Sequence, residues 1–98
     1  MKVVWTSEAL RKLDEIESFI AQNNPERASA FIDLLLEKGN LIGSFPDAGR
    51  VVPELARSEI REILVGNYRV VYRRTPAHIE ILTVFEGHRS LRFEELHP

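Results

Sequence analysis

The stretch from Ile60 to Arg73, IREILVGNYRVVYR, decides the fold of this chain. Two runs rich in valine, isoleucine and tyrosine, Ile60–Val65 and Tyr68–Arg74, flank the dipeptide Gly66-Asn67. Glycine accepts positive φ without steric cost, so Gly-Asn between two such runs predicts a two-residue hairpin turn, most naturally of type II′. The stretch therefore predicts two adjacent antiparallel strands.

Similar patterns continue on both sides of this hairpin. Downstream, residues 75–78 form a longer turn signal, and the apolar run Ile79–Phe85 predicts a third strand. Upstream, residues 44–53 contain Pro46, Gly49 and Pro53, and this punctuation predicts a loop. The strand region of the chain therefore covers most of its second half.

The first half of the chain has the helical period instead. Apolar residues recur at helical spacing within residues 10–20 and again within residues 28–42. Between them, Asn24 is typical of a helix cap and Pro25 of a first helical residue. Two helices with so short a link form an antiparallel hairpin. With Val3–Trp5 as a first strand, the predicted order is β-α-α-β-β-β: an α+β fold with one twisted sheet covered by the helical hairpin.

Composition limits the possible classes of protein. Ninety-eight residues suit a single domain spanning 1–98. The chain has no cysteine, which excludes disulfides, thiolate catalysis and cysteine-bound zinc. Its three histidines lack metal-ligand spacing, and no glycine loop suited to phosphate is present, so we expect no metal and no cofactor. No apolar run approaches the roughly 18 residues of a membrane span, and the first residues do not resemble a signal peptide. We expect a cytoplasmic protein without a small-molecule ligand.

Charge is unevenly distributed along the chain, although the net charge is only −2. Residues 1–56 carry six basic and nine acidic side chains, whereas residues 57–92 carry seven basic and four acidic ones. All seven bases of the second segment are arginines, which suit bidentate contacts with carboxylate or phosphate. The pattern indicates either a binding surface or a set of solvated strand edges.

Several ordered segments together resemble the ParE/RelE toxins of type II toxin–antitoxin systems. They are NNPERASAFI at residues 23–32, FPDAGRVVPEL at residues 45–55, the hairpin quoted above, and ILTVFEGHRSL at residues 81–91. The resemblance extends from Trp5 to about Leu91. The string PDAGRVVPEL followed by IRE is more similar to the ParE branch than to the RelE branch.

The ParE resemblance implies a toxin that inhibits DNA gyrase by binding it, without a catalytic residue. It also implies a cognate antitoxin whose disordered C-terminal part folds over the toxin, as a helix on the hairpin groove or as a strand on a sheet edge. An acidic antitoxin segment would pair with Arg69, Arg73 or Arg89. The residues expected to contact target or antitoxin are Arg61, Arg69, Arg73, His88 and Arg89.

The RelE branch implies a different activity, ribosome-dependent cleavage of mRNA. On that alternative Arg69 and Arg89 clamp the scissile phosphate and His88 moves protons. The strand Ile60–Val65 departs from the RelE pattern, because it carries the single base Arg61 where RelE toxins place lysines. A second alternative is an antitoxin-binding module that has lost its toxicity.

A structural role is an equally direct interpretation of some of these residues. Arg69 alternates with Tyr68 and Val70, so it faces away from the tyrosines and could pair across strands with Glu62 or Glu80. Tyr68 and Tyr72 share a face with Val70, which favours a core position for both rings.

Overall fold

The computed structural model describes residues 1–87 of the chain. The described elements form one sheet, in the strand order β1-β5-β4-β3-β2, and two helices. This arrangement confirms the α+β class predicted from the sequence. The elements, in chain order, are β1 (Lys2–Trp5), α1 (Ser7–Ala21), α2 (Pro25–Leu41), β2 (Arg50–Val51), β3 (Ile60–Val65), β4 (Tyr68–Arg74) and β5 (His78–Glu86).

Two details of the sheet were absent from the prediction. The segment read as a loop at residues 44–53 contains β2, which pairs antiparallel with β3 and forms one edge of the sheet. At the other edge β1 pairs with β5 in parallel, with Lys2 opposite His78 and Trp5 opposite Ile81. A parallel pair needs a long crossover connection, and the two helices provide the first part of it.

The central hairpin follows the prediction closely. β3 and β4 pair antiparallel from Ile60 opposite Arg73 to Val65 opposite Tyr68. Gly66 has a φ of 58°, whereas Asn67 is not among the residues with positive φ, which fits a type II′ turn.

Both helices begin at a capping side chain. The Thr6 hydroxyl accepts a hydrogen bond from the backbone N–H of Ala9 at 3.2 Å, and its oxygen lies 2.8 Å from the carbonyl oxygen of Ile81 in β5. The Asn24 side chain accepts from the backbone N–H of Arg27 at 3.0 Å, and Pro25 is the first residue of α2. Thr6 therefore fixes the start of α1 against the sheet.

The helical hairpin covers one face of the sheet and forms the larger core with it. Trp5 is fixed at the edge of this core: its ring packs against Gly39 of α2, and its indole N–H donates to the Asn40 side chain at 2.9 Å. Buried members of this core from helices and strands are Ala9, Leu13, Ile16, Leu35, Ile42, Val65, Val70, Tyr72, Ile79, Ile81 and Val84.

The opposite face of the sheet is covered by the connection from α2 to β3. Val52 and Leu55 of that connection pack there. A β-bulge helps to form this second core: Val71 lies opposite Thr83 while Tyr72 lies opposite Ile81, so Leu82 is the extra residue of β5. The strand residues that complete it are Ile60, Val71, Leu82 and Phe85.

Tyr72 ties the connection to the sheet. Its ring is buried in the larger core, and its hydroxyl donates to the carbonyl oxygen of Pro46 at 2.8 Å. The same oxygen accepts from the backbone N–H of Gly49 at 3.0 Å. Tyr72 thus has the core position expected from the sequence, while Tyr68 is half buried and packs against the same cluster.

Candidate functional site

The predicted contact residues occupy different parts of the sheet. Arg61 lies in β3, and Arg69 and Arg73 lie in β4 on the face opposite the helices. His88 and Arg89 lie outside the described residues. The structure therefore brings Arg69 together with acidic neighbours, and it does not test the grouping of Arg69 with His88 and Arg89.

Arg69 is the centre of a buried ion network. The residue is only 4% exposed, although it carries a charge. Its two terminal nitrogens donate to the two carboxylate oxygens of Glu54, each at 2.8 Å. Its Nε donates to the carboxylate of Glu62 at 2.6 Å. A bidentate contact and a second carboxylate are among the strongest arrangements open to a guanidinium group.

Glu62 extends this network to the edge of the sheet. It is 1% exposed, and its second oxygen accepts from Nε of Arg50 in β2 at 2.7 Å. The arginine–glutamate network, defined as Arg50, Glu54, Glu62 and Arg69, thus joins β2, β3, β4 and the turn after β2. Its two positive and two negative charges balance. This balance allows Glu62 and Arg69 to be buried, while the Arg50 side chain is 59% exposed.

The surroundings of Arg69 favour its charged form. Hydrogen bonds from the guanidinium to the Glu54 carboxylate, and also to that of Glu62, raise its pKa above the usual value despite the opposing effect of desolvation. The guanidinium carbon also lies 4.9 Å from the ring centroid of Phe85, its cross-strand neighbour. Arg69 consequently remains a cation whose partners belong to the same chain.

This geometry supports the structural role that sequence reasoning offered for Arg69. Pairing across strands with Glu62 is present, whereas Glu80 pairs with Arg73 instead, at 3.6 Å. A phosphate or an external carboxylate could reach Arg69 only by displacing Glu54. Charge reversal at Arg69 would place a third carboxylate beside Glu54 and Glu62, and would disturb the fold before it reported on binding.

Arg61 is oriented toward the connection between α2 and β3. One terminal nitrogen donates to the carbonyl oxygen of Gly49 at 2.9 Å. Its Nε is buried and has no hydrogen-bond partner within residues 1–87. Arg61 therefore helps Tyr72 to hold Gly49 against the sheet, and only part of its guanidinium remains available to a partner.

A second feature is an apolar trough beside the helical hairpin, whose lining residues sequence reasoning did not identify. A cavity of about 360 Å³ lies between the tip of the helical hairpin and the β3–β4 turn, and one of about 310 Å³ lies between α1 and β5. Both are lined by Phe19 and Tyr68, so we treat them as one trough. Phe19 falls within the apolar stripe predicted for residues 10–20, but it is 66% exposed. The signal available in the sequence was the adjacent pair Phe19-Ile20, which widens the apolar arc beyond one packing face.

Residues 1–87 contain neither a cluster suited to a metal ion nor a helix suited to a membrane span. Among residues 1–87, no three histidine, cysteine, aspartate or glutamate side chains converge in a way that would hold a metal ion. No helix in that part of the chain is long and apolar enough to cross a membrane.

Comparisons with a family model, with curated proteins and with solved structures give consistent matches. Residues 3–91 match the family model of the ParE toxin of the type II toxin–antitoxin system parDE. A Sinorhizobium fredii protein provisionally named toxin Y4kP is 28% identical over 89 residues, which is 91% of each chain. A solved chain of the chromosomal ParDE toxin–antitoxin system from P. aeruginosa has the same fold, with a TM-score of 0.74 and 20% identity over 88% of this chain and 95% of that one.

Proposed function

Because this chain belongs to the ParE toxin family of type II toxin–antitoxin systems, we propose that it inhibits DNA gyrase by binding the enzyme. On this proposal a cognate antitoxin silences the toxin, and both act in the cytoplasm. The toxin forms a hetero-oligomer with its antitoxin, needs no cofactor and performs no catalytic step of its own. Its residues serve only as contact surfaces.

The state of Arg69 is the observation that carries the non-catalytic part of the proposal. A phosphate clamp needs a guanidinium whose donors face the substrate. The donors of Arg69 face Glu54 and Glu62 instead, at 2.6 to 2.8 Å. An arginine held in this way stabilises the sheet. It supports binding only indirectly, because it maintains the structure of the sheet face on which it lies.

The remaining predicted contact residues fit a binding role. Arg73 lies at the end of β4 with its side chain partly exposed, beside Glu80. Arg61 lies at the junction of β3 with the connection from α2. The side chain of Arg73 is 39% exposed, so an acidic partner can reach it without opening the core. His88 and Arg89 complete the proposed contact set, outside the described residues.

A supercoiling assay tests the proposal. Relaxed plasmid, purified gyrase and ATP are incubated with the toxin, with and without its antitoxin, and an in vitro translation reaction receives the same toxin. We expect supercoiling to be lost, the antitoxin to restore it, and the mRNA in the translation reaction to stay intact.

Each other outcome of this assay points to a different function. Normal supercoiling together with codon-positioned mRNA cuts would reverse the conclusion and make the protein a ribosome-dependent endoribonuclease. Normal supercoiling with intact mRNA would leave an antitoxin-binding module without toxicity. A Glu54→Gln variant adds a control for the ribonuclease alternative: freeing donors of Arg69 should increase cutting if Arg69 binds phosphate, and should create none if the toxin only binds gyrase.

A further inference from the structure

We infer that the α2–β3 connection, residues 42–59, is a surface with which the toxin contacts gyrase, and that the Phe45 ring is its apolar anchor. The inference rests on the proposed function, because it presumes that gyrase is the target. It goes further in naming the contacting segment and in stating the chemistry of the site on gyrase, which is an apolar pocket.

The backbone of the connection is held firmly to the sheet at residues 46–49. The Tyr72 hydroxyl donates to the carbonyl oxygen of Pro46 at 2.8 Å and accepts from the backbone N–H of Gly49 at 3.0 Å. Arg61 donates to the carbonyl oxygen of Gly49 at 2.9 Å. Gly49 also packs so closely that a Cβ at this position would overlap the Tyr72 side chain. Hydrogen bonds and packing together therefore fix this part of the connection.

Side chains hold the connection at further points. Arg74 forms an ion pair with Asp47, and Arg69 binds both carboxylate oxygens of Glu54 at 2.8 Å. Val52 is fully buried in the second core. A segment that is already ordered loses little conformational entropy when it binds, so more of its contact energy becomes affinity. The connection is therefore a pre-organised surface.

Phe45 is the large apolar side chain that this surface leaves in water. It is 63% exposed and lines neither cavity of the apolar trough. Two backbone hydrogen bonds hold the turn that carries it, from Ser44 to the carbonyl oxygen of Leu41 at 3.0 Å and from Phe45 to that of Ile42 at 3.1 Å. Leu41, four residues earlier, is 47% exposed. An exposed aromatic ring on a fixed turn is typical of the anchor side chains of protein interfaces.

The position of Phe45 favours a folded partner. The antitoxin segment expected from the family resemblance is disordered before it binds, and such segments gain their contacts in a groove or along a sheet edge. Phe45 is exposed on a turn, so its ring becomes buried only where the partner supplies a pocket. A folded enzyme such as gyrase can supply that pocket, whereas an isolated extended segment cannot enclose a ring.

The charged side chains that follow Phe45 indicate an uncharged contact. Asp47 and Arg74 neutralise each other, and their side chains are 64% and 44% exposed. An apolar anchor beside exposed polar groups has the arrangement of an interface core and its rim. Because the anchor itself is apolar, we expect its contribution to gyrase binding to depend little on salt.

The supercoiling assay with toxin variants tests the inference. Phe45→Ser should raise the toxin concentration that half-inhibits gyrase by at least roughly tenfold, at low and at high salt alike, because the anchor is lost. The matched control is Phe19→Ser, at a phenylalanine 66% exposed in the last turn of α1. This control should change the half-inhibiting concentration no more than roughly twofold. Calorimetry should give Phe45→Ser an affinity for the antitoxin within roughly twofold of the unmodified toxin.

The outcomes separate this inference from the proposed function. If the unmodified toxin and Phe45→Ser inhibit gyrase equally, the inference is overturned and the proposed function stands. If the unmodified toxin does not inhibit gyrase at all, the proposed function fails and the inference fails with it. An equal loss of antitoxin affinity in Phe45→Ser, or self-association of the unmodified toxin that this variant abolishes in sedimentation, would assign the ring to another partner and overturn the inference.

Photocrosslinking gives a second readout that does not depend on a loss of function. The photoreactive residue p-benzoylphenylalanine replaces Phe45 or, as the control, Phe19, and each toxin is illuminated together with purified gyrase. We expect a cross-link to gyrase from position 45 and none from position 19. Cross-links from position 19 alone, or equally from both positions, would overturn the inference.

Discussion

Arg69 and Glu62 show how a residue suited to binding becomes part of the framework. An arginine on a strand next to a tyrosine suggests contact with phosphate or carboxylate, yet here the carboxylates come from Glu54 and Glu62. Burying two opposite charges is costly unless the hydrogen bonds between them are complete. The network meets that condition at Glu62, where each oxygen accepts from a different arginine.

Glu62→Gln tests the network at this scale. The substitution keeps the size of the side chain but removes the negative charge between Arg50 and Arg69, so a buried cation loses part of its compensation. We expect the free energy of unfolding to fall by about 3 kcal/mol. Urea denaturation followed by circular dichroism measures the change.

The matched control for this prediction is Glu15→Gln. Glu15 pairs with Arg11 on the exposed surface of α1, and we expect a loss below about 0.5 kcal/mol there. Equal losses in the free energy of unfolding for Glu62→Gln and Glu15→Gln would show that the buried network contributes no more to stability than an exposed ion pair.

Tyr72 predicts how stability changes at alkaline pH. Burial raises the pKa of its hydroxyl above the usual 10.0, because the neutral form is favoured away from water. As the pH rises past 10, the unfolded chain releases this proton before the folded chain does, so the unfolded state binds fewer protons and the free energy of unfolding falls. Below pH 10 the Tyr72 hydroxyl is neutral in both states, and its full contribution to the free energy of unfolding is present.

Tyr72→Phe should therefore have two effects. It should lower stability at neutral pH by about 1–2 kcal/mol, since the hydrogen bonds to Pro46 and Gly49 are lost. It should also flatten the fall of stability above pH 10, which denaturation at a series of pH values measures. If the free energy of unfolding falls equally steeply above pH 10 in the variant and in the unmodified protein, the alkaline loss of stability does not come from Tyr72.

At the scale of elements, the contact between β1 and α2 sets how the helical hairpin lies on the sheet. Glycine is a poor helix former, and Gly39 lies near the end of α2. In the structure a Cβ at this position would overlap the Trp5 ring, so the glycine allows the close approach of helix and strand. The indole hydrogen bond to Asn40 fixes the same contact.

Gly39→Ala should destabilise the protein by about 1 kcal/mol. Overpacking against Trp5 costs about 1–3 kcal/mol, which exceeds the gain of about 1 kcal/mol from the better helix propensity of alanine. Thermal denaturation measures the net effect. The same substitution made together with Trp5→Leu should be neutral or stabilising relative to Trp5→Leu alone, because the clash is then gone. A loss of equal size in both backgrounds would contradict the packing explanation.

At the scale of the whole molecule, the features predicted correctly from the sequence are those that depend on residues close together along the chain. The Gly66-Asn67 turn, the Asn24 cap and the two helices follow from local backbone preferences and periodicity, and all are present. The alternation of Arg69 with Tyr68 also placed the arginine on the correct face. These features give the order of elements and the α+β class.

Other features depend on contacts between distant parts of the chain, and the sequence did not reveal them. β2 has two residues, too few for a periodic signal. Glu54 reaches Arg69 only because the turn after β2 folds back over the sheet. The trough arises where the tip of the helical hairpin meets the β3–β4 turn, and no local pattern encodes that meeting. The predicted contacts at Arg61, Arg69, Arg73, His88 and Arg89 stay predictions.

The most direct test of the account is a titration of toxin against a fixed amount of gyrase in the supercoiling assay. A toxin that acts only by binding should reduce activity in proportion to the toxin added, reach completion near a fixed molar ratio, and show no further loss with time. Loss of activity at a small fraction of that ratio, increasing with incubation, would mean that one toxin molecule acts on many targets. That result would contradict the central claim, since it requires catalysis.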